Sequence, residues 1–315
     1  MSGKPRIVFC APGAKPEPWL RGLKRLLPDA DVFAWLDSTD DRNGHADYAM
    51  VWAPPDAFYA SEPRLKAIFN LGAGVDGLMS ATSLPSNVPL IRIEDAGMAQ
   101  LMAEYVVQAA IRHARELGAM EADSRAGLWA PRKPTDRADY PVGVMGAGAL
   151  GRPVAEALAA QGFPVSVWSR SSKTVEGMRC FTGVEELDAF LAATRILVCV
   201  LPLTPDTENI LNRDTLGKLM PDAYVINVAR GRHLVDDDLL AAIVDGRIVA
   251  ATLDVFREEP LPADHRFWKE PRITITPHCS ALTQRNATLA QIAGKIVKLE
   301  RSETVGGVVD RERGY

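Results

Sequence analysis

Val142-Gly143-Val144-Met145-Gly146-Ala147-Gly148-Ala149-Leu150-Gly151 reads as a hydrophobic strand running into a G-x-G-x-x-G turn, and the VAEALAAQG that follows has the pattern of a helix. Gly146 permits the tight turn, Gly148 lets the backbone approach a pyrophosphate, and Gly151 allows close helix packing. The helix N-terminus offers free N–H groups to the anion, with Ala147, Ala149 and Leu150 completing the loop. A tight turn without a ligand would fit the bare motif. A strand before it and a helix after it favour a dinucleotide.

About 20 residues past such a loop, an NAD-preferring site places an acid that accepts hydrogen bonds from the ribose hydroxyls. Here the chain reads Val167-Trp168-Ser169-Arg170-Ser171-Ser172-Lys173, with no acid. Arg170 is suited to stack on adenine and clamp a 2′-phosphate, with Ser169, Ser171 and Lys173 as further donors. NADPH is therefore expected in preference to NADH, against the alternative of a solvated basic turn.

Outward from this loop, strand candidates follow at 142–145, 165–168, 196–200, 224–227, 250–253 and 273–275, six strands with helices between them. That is the pattern of a doubly wound sheet. Upstream, RIVFCA, WLRGLKRLL, DVFAWL, YAMVW and RLKAIFNLG alternate in the same way, and VPLIRI adds a strand at 88–93. A long helix is expected over about 99–117, a surface loop over about 125–140, and a closing helix over 284–301 followed by a polar tail. The fold class expected is α/β with two doubly wound parallel-sheet domains: a flavodoxin-like substrate domain made of 1–98 and 284–315, and a Rossmann cofactor domain over 99–283. A chain of 315 residues is long enough for two cores.

Composition narrows the partners. The net charge of −4 is too weak to steer nucleic acid, and no apolar stretch approaches the roughly 18 residues needed to cross a bilayer. Pro12 and Pro16 interrupt the start, and Cys10, Cys180, Cys199 and Cys279 are widely spaced, so a reducing cytoplasm is expected and neither a disulfide framework nor a metal site is implied.

Three motifs downstream of the loop each follow a predicted strand: Asn227-Val228-Ala229-Arg230-Gly231, then Leu253-Asp254-Val255-Phe256-Arg257-Glu258-Glu259-Pro260, then Thr276-Pro277-His278-Cys279-Ser280. In an open parallel sheet, ligands sit beyond the carboxyl ends of the strands, so Arg230, Glu259 and His278 are expected to converge. A guanidinium holds the carboxylate of a 2-keto acid bidentately, and a protonated imidazole gives its proton to the keto oxygen as hydride reaches the carbon. Glu259 would orient the ring and favour its charged form. Taken singly, each residue has a plainer reading: a surface ion-pair partner, a loop acid, a packed histidine. His233 is the one rival histidine, with a capping or surface role expected; His45, His113 and His265 are read as structural or solvated, without acid partners at suggestive spacing, Cys279 as a small packed residue, and Asp236-Asp237-Asp238 as a helix start rather than a metal site.

GAGALG, NVARG, DVFREEPLP and TPHCSA together resemble the D-isomer-specific 2-hydroxyacid dehydrogenase family over nearly the whole chain. VWSRS, LGAGVDGLM, RIEDAGM and VDRERGY look most like its NADPH-preferring branch that reduces glyoxylate and hydroxypyruvate. The resemblance implies that Arg230 binds and polarises the substrate, that His278 donates the proton and that Glu259 pairs with it. It also implies that backbone N–H groups of the loop Leu71-Gly72-Ala73-Gly74-Val75-Asp76 bind the substrate carboxylate, so Ala73, Gly74 and Val75 are taken as substrate-binding. Trp52, ending the strand YAMVW, is expected to cover a small substrate, against the alternative of a core aromatic at a strand end, and Asp254 is counted with the cofactor-binding residues. A homodimer is implied, with 99–117 and the loop near Trp129 as interface candidates. The alternatives are a family member acting on 2-ketogluconate or phosphoglycerate, a non-catalytic dinucleotide-sensing protein, and a methyltransferase, which would want an acid for the ribose.

Overall fold

A computed structural model describes residues 4–133 and 135–315. Residues 1–3, at the start of the expected first domain, and residue 134, inside the expected 125–140 loop, lie outside the described residues. The chain divides into two compact units, Met1–Gly97 with Thr283–Tyr315, and Met98–Leu282.

The first unit is built on a five-stranded parallel sheet of β1 (Arg6–Cys10), β2 (Asp31–Ala34), β3 (Tyr48–Val51), β4 (Ala67–Asn70) and β5 (Leu90–Ile91), in the order β2-β1-β3-β4-β5. That is the flavodoxin-like winding. The central strands are buried along their whole length, as parallel strands covered on both faces must be. Helices α1 (Glu17–Leu26) and α10 (Arg285–Glu300) pack together, burying Leu23, Leu289 and Ile292. The C-terminal segment, expected as a polar tail, is docked. Val309 donates its N–H to the Leu90 carbonyl at 2.8 Å, and Arg311 Nη2 reaches the carbonyls of Pro85 and Val88 at 2.7 Å each.

In the second unit a seven-stranded parallel sheet comprises β6 (Val142–Met145), β7 (Val165–Ser169), β8 (Arg179–Thr182), β9 (Ile196–Cys199), β10 (Ala223–Asn227), β11 (Ile248–Leu253) and β12 (Ile273–Ile275). Its order, β12-β11-β10-β9-β6-β7-β8, is the Rossmann order extended by one strand, with the winding reversing beside β6. The six strands read from sequence are present; β8 is the addition, an edge strand with Phe181 as its one buried side chain and no hydrophobic run to betray it. The long helical stretch is also divided. Helix α4 (Met98–Ala114) is followed by α5 (Leu117–Arg125), and between them Glu116 adopts a left-handed conformation (φ 53°) that a continuing helix does not tolerate. Among the described residues no helix is long and apolar enough to cross a membrane.

Helix α4 packs on α6 (Gly151–Ala160) and carries His113, which stacks face to face on Tyr224 of β10, with centroids 4.1 Å apart. Burial first, and then the nearby Arg195, pushes the His113 pKa down from 6.5 to about 4. The folded protein therefore binds this proton less readily than the unfolded chain. The associated stability is complete above about pH 6.5 and is lost as the pH falls towards 4. By pH 5 the loss is about 2 kcal/mol. His113→Phe, which keeps a stacked ring, should reduce the drop in urea midpoint between pH 7 and pH 5; an equal drop in both proteins would refute the assignment.

Candidate active site

All seven strands of the second sheet run parallel, so the loops after β6, β7, β10, β11 and β12 leave one edge of it. The glycine loop joins β6 to α6. Gly146 has φ +109°, and a Cβ added at Gly151 would lie 1.8 Å from the Gly146 carbonyl oxygen, so any side chain there breaks the turn. A Cβ at Gly148 would meet nothing within 4 Å, which leaves the outer side of the turn open. Among the described residues no carbonyl accepts the N–H of Gly148, Ala149 or Leu150, and these groups stand at the start of a ten-residue helix. Donors and open space of this kind fit a pyrophosphate. Ser169 ends β7 and its hydroxyl donates to the Ser171 carbonyl at 2.9 Å. Arg170, Ser171 and Lys173 are exposed on the following turn, with Arg170 3.8 Å from Asp206.

The structure brings Glu259 and His278 together. His278 Nδ1 lies 2.7 Å from Glu259 Oε2, and Glu259 Oε1 accepts the Phe256 N–H at 2.9 Å. A carboxylate can only accept, so Nδ1 carries the hydrogen and Nε2 is the ring atom at which a proton can be exchanged. His278 itself has φ +51°, an uncommon conformation for a residue with a side chain, held by donation of its own N–H to the Asp254 carbonyl at 2.8 Å. Asp254, expected among the cofactor-binding residues, has no exposed surface. Its carboxylate instead accepts from Thr276 Oγ1 (2.5 Å), Cys279 N (2.9 Å) and Ser280 N (2.8 Å), fixing the loop on which His278 sits.

Arg230 follows β10, and its Nη1 donates to the Ala229 carbonyl at 2.7 Å. Its backbone is held by two residues for which the sequence suggests no such role, Asn227 and His233. Buried Asn227 donates from Nδ2 to the Arg230 carbonyl (2.9 Å) and accepts the Ala229 N–H (3.1 Å). His233 is fully buried, which corrects the expected surface role. Its Nδ1 accepts the Arg230 N–H at 3.2 Å, leaving Nε2–H to donate to the Pro202 carbonyl at 3.2 Å. The three-residue spacing of Asn227, Arg230 and His233 across a tight turn is the signal that could have found both.

One smaller expectation is also corrected. Cys279 is exposed rather than packed, and partial burial of its sulfur, then the Asp254 charge, push its thiol up and away from a reactive thiolate. His265 is structural, its side chain accepting the Phe267 N–H, and it lies 3.5 Å from Asp236, an acid distant in sequence in the first turn of the helix Asp236–Val244.

In the first unit, the loop 71–76 leaves the carboxyl end of β4, beside that of β3, where Trp52 stands. Trp52 is 46% exposed and lies flush on the loop: a Cβ added at Gly72 would meet its Cζ3 at 2.5 Å. Asn70 Nδ2 donates to the carbonyls of Gly72 (3.0 Å) and Gly74 (2.7 Å). With those carbonyls engaged, the N–H groups of Ala73, Gly74 and Val75 have no backbone acceptor among the described residues.

Sheet order, glycine loop and the paired acid and imidazole define a dinucleotide-dependent oxidoreductase of the doubly wound class. Residues 107–280 match the family described as D-isomer specific 2-hydroxyacid dehydrogenase, NAD binding domain, and the chain belongs to the D-isomer specific 2-hydroxyacid dehydrogenase family. It is 46% identical over 314 residues to a glyoxylate/hydroxypyruvate reductase A of Serratia proteamaculans, covering 98% of this chain and 99% of that one. Among solved structures it superposes on a D-isomer specific 2-hydroxyacid dehydrogenase from Xanthobacter autotrophicus in complex with NADPH and MES, with TM-score 0.94, 39% identity and complete coverage of both chains. It also matches an NADPH-dependent glyoxylate/hydroxypyruvate reductase from Sinorhizobium meliloti in complex with NADP and sulfate, with TM-score 0.93 and 35% identity, covering 99% of this chain and 100% of that one.

Proposed function

We propose that the chain reduces small 2-keto acids with NADPH, glyoxylate to glycolate and hydroxypyruvate to D-glycerate. The observation that carries this reading is the His278–Glu259 pair standing on the sheet edge that also presents Arg230 and the glycine loop. NADPH, when bound, supplies the hydride. Arg230 holds and polarises the keto acid, and His278 Nε2 gives its proton to the keto oxygen as the carbon is reduced. Glu259 keeps the ring in the tautomer and orientation that this transfer needs.

The unit Met98–Leu282 is assigned the cofactor: Gly146 to Gly151 for the pyrophosphate, and Ser169, Arg170, Ser171 and Lys173 for the 2′-phosphate. Asp254 serves this half through its hold on the loop after β12. The other unit is assigned substrate binding, through the N–H groups of Ala73, Gly74 and Val75 and the ring of Trp52. A cytoplasmic homodimer completes the proposal, supported by four free cysteines and by an exposed apolar pair, Leu128 and Trp129, the latter 97% exposed. Light scattering on the purified protein tests the dimer.

The direct test follows the absorbance of NADPH, and separately NADH, with glyoxylate, hydroxypyruvate, pyruvate and 2-ketogluconate. Rapid NADPH oxidation with the first two is expected. Turnover confined to 2-ketogluconate would reassign the substrate, and tight NADPH binding without turnover of any keto acid would favour a sensing protein. Arg170→Ala should raise KM for NADPH about tenfold to a hundredfold, since a charge-assisted clamp on a phosphate is lost, and leave KM for NADH within about twofold. Equal losses with both coenzymes would return this turn to a solvated one.

A further inference from the structure

Helix α4 reaches the His278 loop through a chain of hydroxyl groups that the reaction itself does not use. Tyr105 Oη lies 2.6 Å from Thr276 Oγ1, and Thr276 Oγ1 lies 2.5 Å from Asp254 Oδ1. The direction of this chain follows from its end. The Asp254 carboxylate accepts, so Thr276 must donate its only hydroxyl hydrogen to it, and Tyr105 must in turn donate to Thr276. Burial pushes the Tyr105 phenol well above its ordinary range, so it remains a donor at neutral pH.

Asp254 is the group on which the loop is hung. It takes the N–H groups of Cys279 and Ser280 on its carboxylate and the N–H of His278 on its carbonyl. These bonds hold His278 in its left-handed conformation, with Nδ1 against Glu259. Removing the phenol hydroxyl leaves the half-buried Thr276 oxygen without the donor that fills its lone pair, and Thr276 then has reason to turn away from Asp254.

We propose that Tyr105 is a positioning residue for the reaction, setting the aim of His278 through Thr276 and Asp254. The proposal rests on the reading of His278 as proton donor. Tyr105 touches no reacting atom in this scheme; it decides how rigidly the donor is held.

Tyr105→Phe tests it with two readouts, one of them independent of activity. Hydrogen exchange in the peptide over 276–281 should speed up about tenfold while exchange elsewhere in the chain is unchanged, because a bond in a charged network has been lost only there. With glyoxylate, kcat should fall about tenfold in the wild-type background and less than about twofold when His278→Ala is already present, since the two changes then remove the same contribution. Thr276→Val should reproduce both effects, and the double variant Tyr105→Phe with Thr276→Val should be no worse than Thr276→Val alone. Unchanged exchange over 276–281 overturns the proposal. So does an equal loss of kcat in both backgrounds, which would mark Tyr105 as a packing residue. Absence of keto-acid turnover in the wild-type protein would strike at the proposed function instead, and loop exchange would still decide whether Tyr105 orders the loop.

Discussion

His278→Ala is expected to lower kcat for glyoxylate reduction about a thousandfold, the range over which a positioned general acid contributes. The loss should fall on kcat, with KM for the keto acid changing less than about threefold, because proton donation is an interaction of the transition state rather than of the bound ground state. The geometry supports this split. Glu259 occupies Nδ1 and is itself fixed by the Phe256 N–H, so Nε2 is the only ring atom able to give a proton to substrate. NADPH affinity, measured by fluorescence titration, should stay within about twofold, since nothing in the glycine loop is disturbed. A variant that keeps more than about a tenth of the wild-type kcat would remove His278 from the proton-donor role, and another acid would have to be sought.

The ease with which this site is read from sequence differs from residue to residue for physical reasons. Gly146, Gly148 and Gly151 are legible because their requirement is local: a turn, an open flank and a helix start, all within six residues. Arg230, Glu259 and His278 stand out because they follow β10, β11 and β12, neighbouring parallel strands whose carboxyl ends lie at one edge, and Glu259 and His278 meet there whatever their separation in the chain. The supporting residues are different. His233 acts by bridging Arg230 to Pro202, and Asp254 by receiving donors from 276–280; the local spacing to Arg230 hints at the first, but neither Pro202 nor the 276–280 donors are announced by spacing or periodicity. A buried histidine and a buried aspartate look the same in a sequence as exposed ones. β8 is not legible because an edge strand with one buried side chain has no hydrophobic run, nor is the break at Glu116, because a single left-handed residue leaves no compositional mark. What the pattern conveys well is burial repeated along an element; what it conveys poorly is a single contact between loops.

Arg230→Ala should be the more damaging change for substrate binding, lowering kcat/KM for glyoxylate about a thousandfold or more, the cost of losing a charged, bidentate partner to a carboxylate. Unlike the loss at His278, this one should appear in both constants: KM rises because the carboxylate loses its anchor in the ground state, and kcat falls because the keto oxygen loses a polarising charge as negative charge develops on it. Lysine is the informative replacement. Arg230→Lys retains the charge but not the planar fork, and it should recover less than about tenfold of the loss, since an ammonium cannot reproduce two parallel N–H bonds. The preorganisation around the position argues the same way. The Arg230 backbone is fixed from both sides by Asn227 and His233, and one arm of the guanidinium by the Ala229 carbonyl, an arrangement that gives a rigid fork a defined aim and gives a flexible ammonium none. Steady-state kinetics of both variants with glyoxylate, alongside NADPH titration, provide the measurement. If Arg230→Lys matches the wild type, the site needs only positive charge, and the bidentate assignment is wrong. If both variants lose NADPH affinity as severely as turnover, Arg230 belongs to the cofactor and not to the keto acid.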